Sequence, residues 1–391
     1  MGHRLPRRSL PPMMASAALL CLAMAALWPA ASAAAMDDGC SSSVRRSPAA
    51  SSSSSNKRKK QEEQKLWVFG DSYADTGNLG DLGRELTHAW YDPYGQTFPR
   101  RPAGRFSDGR VLTDFVASAM GMPTPVAYKV RRGARPGMLA RGMNFAVGGA
   151  GVLDTGNFQR NISAQIDLFQ ALQAGPQRRR DNDNNNNTWT ALVVVSGNDY
   201  SYASSGGASN DNNGTSAAIA YIPTVVRELR EQLRRLRDEA GMKKVVVTNL
   251  HPMGCTPVFT RRINYTGCDP LANAGAAQHN AALESVLAAL DPANRTFLLL
   301  DVHTPFAAFL LDAADDRDDN NGRFESPLRP CCESFSKDGY CGQQDEDGKP
   351  QYTLCGDPGR RFYWDDVHPT QAAWAAVADS FRTTVNNFLS T

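Results

Sequence analysis

Short apolar runs, separated by stretches with helical periodicity, constrain the fold of this chain more than any other feature. Four runs have the length and composition of buried strands, at residues 66–69, 191–195, 245–247 and 297–300. Strands that alternate with amphipathic helices are typical of a parallel sheet covered by helices on both faces. The sequence therefore predicts an α/β fold built around a parallel sheet.

The stretches between these runs predict helices over residues 224–240, 271–290 and 370–389. The first has the clearest pattern, because its apolar residues share one face that we expect to pack in the core: Val225, Val226, Leu229, Leu233 and Leu236. Three tracts rich in Asn, Asp, Gly or Ser are predicted to be exposed loops within one domain: residues 178–188, 203–215 and 315–322.

Composition narrows the class of protein. The chain has 391 residues, of which 41% are hydrophobic, so it has enough apolar surface for one large core. Its 42 basic and 40 acidic residues nearly balance, for a formal net charge of +2. Nucleic-acid-binding proteins normally have a strong basic excess, so we expect no nucleic-acid partner.

The N-terminal residues have the organisation of a secretory signal peptide. Arginines precede a mostly Ala, Leu and Met run at residues 14–28, and Ala-Ser-Ala at residues 31–33 suits signal peptidase. We therefore predict a signal peptide over residues 1–33, a disordered Ser- and Lys-rich linker over 34–64 and a single domain over 65–391. No later segment is long and apolar enough to span a membrane, which predicts a secreted protein with no stable membrane anchor.

Secretion favours disulfides over metal sites for the seven cysteines that remain after Cys21 is removed with the signal peptide. Cys255 and Cys268 bracket a short loop and are predicted to pair. Two more bridges are expected among four cysteines whose connectivity stays open, namely Cys331, Cys332, Cys341 and Cys355. Cys40 is left over. A zinc ribbon is the alternative, but two adjacent cysteines do not match its ligand spacing.

Five Asn-x-Ser/Thr triplets are candidate glycosylation sites in a secreted chain. They begin at Asn161, Asn186, Asn213, Asn264 and Asn294.

Four polar blocks are the candidates for a functional site. They are Phe-Gly-Asp-Ser at 69–72, Asn-Phe-Ala-Val-Gly-Gly-Ala at 144–150, Ser-Gly-Asn-Asp at 196–199 and Asp-Asp-Val-His-Pro at 365–369. Three of them lie at predicted strand ends, and ligands bind outside the carboxyl ends of the strands in open parallel sheets. We expect these blocks to meet at one edge of the sheet.

Acyl transfer from an ester needs a nucleophile, a base, a group that orients the base and donors for the developing oxyanion. Ser72 has the chemistry of the nucleophile and His368 that of the base. Asp365 precedes His368 by three residues, so one turn can bring its carboxylate to the imidazole Nδ1. The Gly149 N–H and the Asn198 side-chain amide are suitable oxyanion donors.

With these blocks in this order, the chain resembles the plant GDSL esterases/lipases of the SGNH hydrolase superfamily over residues 66–389. The four residues of the superfamily name correspond here to Ser72, Gly149, Asn198 and His368. Further similarity lies in Asp-Thr-Gly-Asn at 75–78, in residues 102–110 and in Tyr-Trp-Asp at 363–365. The choice of Gly149 over Gly148 rests on matching the family motif.

The resemblance implies a three-layer α/β/α sandwich with a flavodoxin-like parallel sheet. It also implies a secreted serine esterase in which Ser72 attacks the ester carbonyl and water hydrolyses the acyl-enzyme. His368 would be the base, Asp365 would fix its tautomer, and the Ser72 N–H, Gly149 N–H and Asn198 Nδ2 would hold the oxyanion. We expect a monomer that needs no cofactor or metal ion and that acts on a lipid ester or an acetylated wall polysaccharide.

Two alternatives stay open. An acyltransferase that moves the acyl group to an alcohol would use the same residues, and a non-catalytic wall or carbohydrate-binding protein could have the same fold. The absence of a Gly-x-Ser-x-Gly elbow argues against the α/β-hydrolase fold, a different serine-esterase architecture.

Overall fold

A parallel sheet forms the centre of the protein in its computed structural model, which describes residues 64–156, 159–174, 188–206, 214–311 and 322–391. Within those residues the sheet has six strands in the order β2-β3-β1-β4-β5-β6, and all pairs are parallel. The strands are β1 (Lys65–Gly70), β2 (Val126–Ala127), β3 (Gly142–Asn144), β4 (Trp189–Val194), β5 (Lys244–Thr248) and β6 (Phe297–Leu300). Without the two-residue edge strand β2, the strand order is 2-1-3-4-5, the flavodoxin-like order.

Nine α-helices occur in the same described ranges. They are α1 (Leu112–Ala119), α2 (Pro136–Leu139), α3 (Ile162–Ala174), α4 (Asn198–Ser204), α5 (Thr215–Asp238), α6 (Pro257–Thr260), α7 (Pro270–Leu290), α8 (His303–Leu310) and α9 (Gln371–Ser390). A separate antiparallel pair consists of β7 (Cys332–Ser334) and β8 (Tyr352–Leu354).

The alternation of side chains along β1 explains the layers. Leu66 and Val68 point to one face, where they join a buried apolar cluster with side chains of α1 and α9. Trp67 and Phe69 point to the other face and pack with side chains of α3, α5 and α7. Because both faces of the sheet are covered, every residue of β1 is buried. The α/β fold predicted from the sequence is confirmed, with three layers.

The predicted element boundaries agree best with the structure where an apolar run is short and isolated. Strand β6, for example, spans the predicted residues 297–300. Helix α5 begins at Thr215 rather than at residue 224 and continues through Pro223, because its buried face extends back to Ile222. The predicted loop over 203–215 is therefore wrong at both ends, since Ala203 lies buried in α4 and Thr215 lies in α5. Residues 207–213 between them lie outside the described residues, as do most of the other two predicted loops.

Three disulfides are present in the part of the chain that the structure describes. Cys255 pairs with Cys268, as predicted, and the four later cysteines pair as Cys331–Cys355 and Cys332–Cys341. The adjacent cysteines thus form two bridges that hold β7 and the segments around it together. Cys40 lies outside the described residues.

The candidate glycosylation sites are distributed over several segments. Asn264 and Asn294 are exposed, whereas Asn161 is partly buried and its side chain accepts a hydrogen bond from Ala164 N–H at the start of α3. Asn186 and Asn213 lie outside the described residues, as does the predicted signal peptide and all but the last residue of the predicted linker. No helix in the described ranges has the length and hydropathy needed to cross a membrane.

Candidate active site

The four polar blocks meet in one cavity at the carboxyl edge of the sheet. Ser72 follows β1, Gly149 follows β3 and Asn198 follows β4, and these three strands are neighbours in the sheet. Between β1 and β4 the strand order reverses direction, and such switch points open a crevice for ligands. All three residues line a cavity of about 750 Å³, together with Asp365 and His368.

A chain of hydrogen bonds joins Asp365, His368 and Ser72. The His368 Nε2 lies 2.9 Å from the Ser72 Oγ, and the His368 Nδ1 lies 2.8 Å from both carboxylate oxygens of Asp365. An ionised carboxylate only accepts hydrogen bonds, so Nδ1 carries the proton of a neutral imidazole and Nε2 is free to accept from the Ser72 hydroxyl. This is the hydrogen-bond geometry that transfer of a proton from a serine hydroxyl to an imidazole requires.

The loop before α9 brings Asp365 to His368 by local hydrogen bonds. The Asp365 Oδ1 accepts from the N–H groups of Val367 and His368, and the Trp364 N–H donates to the His368 carbonyl at 2.7 Å. Burial alone would raise the pKa of the Asp365 carboxyl, but His368 and these hydrogen bonds outweigh it and lower the pKa below its usual value. Asp365 is therefore a carboxylate at neutral pH.

Asp366, the adjacent carboxyl group, has a different environment. Its Oδ1 is buried and has no hydrogen-bond partner among the described residues. Burial, with the nearby charge of Asp365, raises the pKa of Asp366 to about 6. The structure thus places Asp365, and not Asp366, against the imidazole of His368.

Two backbone N–H groups in the cavity remain without an internal acceptor. In the part of the chain that the structure describes, neither the Ser72 N–H nor the Gly149 N–H donates a hydrogen bond. The neighbouring Gly148 N–H donates instead to the buried carboxylate of Asp75 at 2.9 Å. The two glycines therefore differ in whether the backbone N–H is already hydrogen-bonded, and only the Gly149 N–H is available to a ligand oxygen. From the sequence alone, the choice between them rests on the family resemblance.

Asn198 lies beside these donors at the first residue of α4. Its Nδ2 donates to the Ala150 carbonyl at 2.8 Å, which uses one of its two amide protons. The second proton has no acceptor among the described residues. Gly197, which precedes it, has a φ of 113°, a conformation that strongly favours glycine and that turns the chain from β4 into α4.

The loops that present these groups are tied together by two buried carboxylates. Asp75 accepts from the N–H groups of Gly77, Asn78 and Leu79 in its own loop and from Gly148 in the next. Asp199 similarly accepts from two N–H groups of the Gly149 loop, those of Val152 and Leu153. Asp75 and Asp199 thus connect the three loops after β1, β3 and β4 by hydrogen bonds.

Comparison with known proteins gives the same family as the sequence motifs. The sequence model of the family described as GDSL-like Lipase/Acylhydrolase matches residues 66–381. A GDSL esterase/lipase of Arabidopsis thaliana is 39% identical over 322 residues, which cover 81% of this chain and 86% of the relative. A second one from the same plant is 35% identical over 316 residues, which cover 80% and 86%.

The chain belongs to the GDSL esterase/lipase family. As a member of this family of lipases and acylhydrolases, the protein is a carboxylic ester hydrolase.

Similar solved structures are more distant. Phospholipase A1 from Streptomyces albidoflavus is 14% identical with a TM-score of 0.38, and the match covers 83% of this chain and 99% of that one. A catalytic mutant of an acetylxylan esterase from Geobacillus stearothermophilus is 13% identical with a TM-score of 0.38, over 83% and 94%. These likenesses are too remote to indicate a substrate, and the fold of this family member is established by its own sheet order.

Two tyrosines that the sequence analysis missed support the Asp365–His368 loop of this GDSL esterase/lipase. The buried Tyr94 hydroxyl donates to the Asp365 Oδ2 at 2.7 Å. The Tyr73 hydroxyl donates to the carbonyl of Val367 at 2.7 Å, one residue before His368. Both hydroxyl groups therefore hydrogen-bond to the loop that carries Asp365 and His368.

Behind Tyr73 lies His251, a buried histidine whose Nε2 is 3.3 Å from the Tyr73 hydroxyl. Since that hydroxyl gives its proton to Val367, the His251 Nε2 must be the donor between the two rings. Burial lowers the pKa of His251 to about 3, so it stays neutral at physiological pH. Its role in this family member is to complete a buried hydrogen-bonded network.

Proposed function

We propose that the protein hydrolyses carboxylic esters through a Ser72 acyl-enzyme. His368 is the base, Asp365 orients it, and the Ser72 N–H, the Gly149 N–H and the Asn198 Nδ2 stabilise the oxyanion. The observation that supports this most directly is the unbroken hydrogen-bonded chain from Asp365 through His368 to the Ser72 Oγ at the wall of a large cavity.

The proposed reaction has two steps. The Ser72 Oγ attacks the ester carbonyl carbon as its proton moves to His368 Nε2, and the tetrahedral oxyanion collapses to release the alcohol, which takes that proton. Water then attacks the acyl-enzyme, loses a proton to His368, and the carboxylic acid leaves as Ser72 regains its proton. The carboxylate of Asp365 stabilises the imidazolium in both steps, and its lowered pKa keeps it ionised at neutral pH.

The test of this proposal is a substrate profile of the purified protein. We expect release of p-nitrophenol from p-nitrophenyl esters, with acetylated xylan and lipid esters assayed beside them to find the natural class. A second assay, in water with an alcohol acceptor present, separates hydrolysis from acyl transfer. A hydrolase would release mainly the free carboxylic acid, whereas a transferase would form mainly the new ester of the added alcohol. Absence of activity on every ester would contradict the proposal and leave the non-catalytic alternative.

We further propose that the protein is secreted, with the signal peptide ending at residue 33, a linker over 34–64 and one hydrolase domain over 65–391. Support comes from the disulfides within the domain and from the exposed candidate glycosylation sites Asn264 and Asn294. Disulfides of this kind persist in oxidising compartments. Expression in plant cells should give a mature chain that begins near Ala34 and migrates faster after glycosidase treatment.

A thiol count gives an independent check on secretion. Three disulfides use six of the seven cysteines that remain after the signal peptide. Under denaturing, non-reducing conditions the secreted protein should have about one free thiol, that of Cys40. Reduction should raise the count to seven, and a high count before reduction would contradict a disulfide-bonded, secreted protein.

A further inference from the structure

A second cavity, of about 290 Å³, lies beside the candidate active site among helices α4, α5, α6 and α7. Its walls are mainly apolar, and they include Ile219, Ile222, Phe259, Ala272 and Ala276. This volume is about twice the roughly 150 Å³ that holds one benzene in an engineered apolar cavity. The second cavity therefore has the size and polarity to hold part of an aliphatic chain.

One layer of side chains separates the two cavities. Ser201, Met253, Val258 and Phe259 line both of them. A Cβ added at Gly197 would lie 2.6 Å from the Met253 methyl, so Met253 lies against the residue that precedes Asn198. Methionine side chains are unbranched and adapt to irregular spaces, so this layer can move aside for a chain.

Helix α4 leads from one cavity to the other. Asn198 begins the helix and lines only the first cavity, Ser201 lines both, and Ser204 lines only the second. These residues are three apart, so they follow one face of the helix, at about 1.5 Å of rise per residue. A chain attached to an acyl carbon beside Asn198 would run along this face toward the second cavity.

We propose that the second cavity binds the distal part of the acyl chain of an ester substrate, with Met253 and Phe259 as the movable partition. This inference rests on the proposed function, because it places the acyl carbon at Ser72. It makes the protein selective for acyl chains long enough to cross the partition. For such chains, kcat/KM should rise about fourfold for each methylene that the cavity takes up, the usual effect of burying a methylene.

The test compares p-nitrophenyl acetate with p-nitrophenyl decanoate in the wild type and in Ala218→Trp. Ala218 lies on α5 and lines the second cavity but not the first, so a tryptophan there should fill the space. The decanoate-to-acetate ratio of kcat/KM should fall about tenfold or more, the effect of losing roughly two buried methylenes. Ala220→Trp, at an exposed position two residues along the same helix, is the matched control and should keep the wild-type ratio.

If Ala218→Trp does not fold, the same ratio of kcat/KM can be measured in Thr215→Trp. Thr215 also lines only the second cavity and is the first residue of α5, where a change disturbs the helix least. A wild-type profile that stays flat from acetate to decanoate, or a variant ratio equal to that of the wild type, would overturn the acyl-chain cavity while ester hydrolysis stands. If the wild type cleaved neither p-nitrophenyl ester, the acyl-chain cavity would be overturned. The proposed function would be overturned as well only if the acetylated xylan and lipid esters were also left uncleaved.

Discussion

Ser72→Ala is expected to abolish ester hydrolysis while leaving the fold intact. The substitution removes the Oγ that lies 2.9 Å from His368 Nε2, and with it the atom that forms the acyl-enzyme. Loss of the nucleophile of a serine hydrolase triad costs on the order of 10⁶ in kcat. Within the described residues the Ser72 Oγ hydrogen-bonds to His368 Nε2 and to no backbone group, so its removal breaks no hydrogen bond to the backbone.

The measurement is kcat on a p-nitrophenyl ester, with the melting temperature measured in parallel. Ser118→Ala, at an exposed serine near the end of α1, is a matched control that should keep both values close to those of the wild type. If Ser72→Ala kept more than roughly a tenth of the wild-type kcat, the nucleophile would have to be another group, since the expected loss is far larger.

The sequence could predict that Ser72, Asp365 and His368 lie together because their signals are local. Ser72 lies three residues after the end of an apolar run that is typical of a buried strand, and the carboxyl ends of parallel strands share one edge of the sheet. Asp365 and His368 are three residues apart, so one turn brings them together without any knowledge of the rest of the fold. Their short separation in the sequence was enough to predict that the two side chains meet.

Contacts across the fold could not be found in this way. Tyr94 reaches Asp365 across 271 residues, and Tyr73 reaches the Val367 carbonyl across 294. No periodicity or spacing predicts such pairs, because they depend on how the loop before α9 packs against two distant segments. The choice of Gly149 over Gly148 is of the same kind, since the distant Asp75 carboxylate occupies the Gly148 N–H.

The start of α5 shows a second reason why the sequence does not predict every element correctly. Pro223 lacks an N–H and is a common helix breaker, so an apolar pattern that resumes at Val225 suggests a later start. Helix α5 nevertheless begins at Thr215, because the buried Ile222 and the partly buried Ala218 and Ile219 before it pack against the core and stabilise the first turns. Tertiary packing outweighs the local preference here, and it is this early part of α5 that closes the second cavity.

Asn198→Ala should lower kcat by roughly 10²–10³ with little change in KM, as loss of one oxyanion donor does elsewhere. KM changes little because the bond to the oxyanion forms chiefly in the transition state. The structure adds a second consequence, since the Asn198 Nδ2 also donates to the Ala150 carbonyl. Loss of that bond should reduce the free energy of unfolding by about 1 kcal/mol, a small effect beside the loss of rate.

Asn198→Asp separates the oxyanion role from a structural one. Asp suits the first turn of a helix, where its charge is favourable, so α4 should form normally and the melting temperature should stay close to that of Asn198→Ala. Its carboxylate donates nothing to the oxyanion and repels the developing negative charge, so kcat should fall at least as far as in Asn198→Ala. If Asn198 served only to begin α4, Asn198→Asp would keep most of the wild-type kcat. Measuring kcat, KM and melting temperature for both variants distinguishes these outcomes, and an active Asn198→Asp enzyme would remove Asn198 from the oxyanion hole.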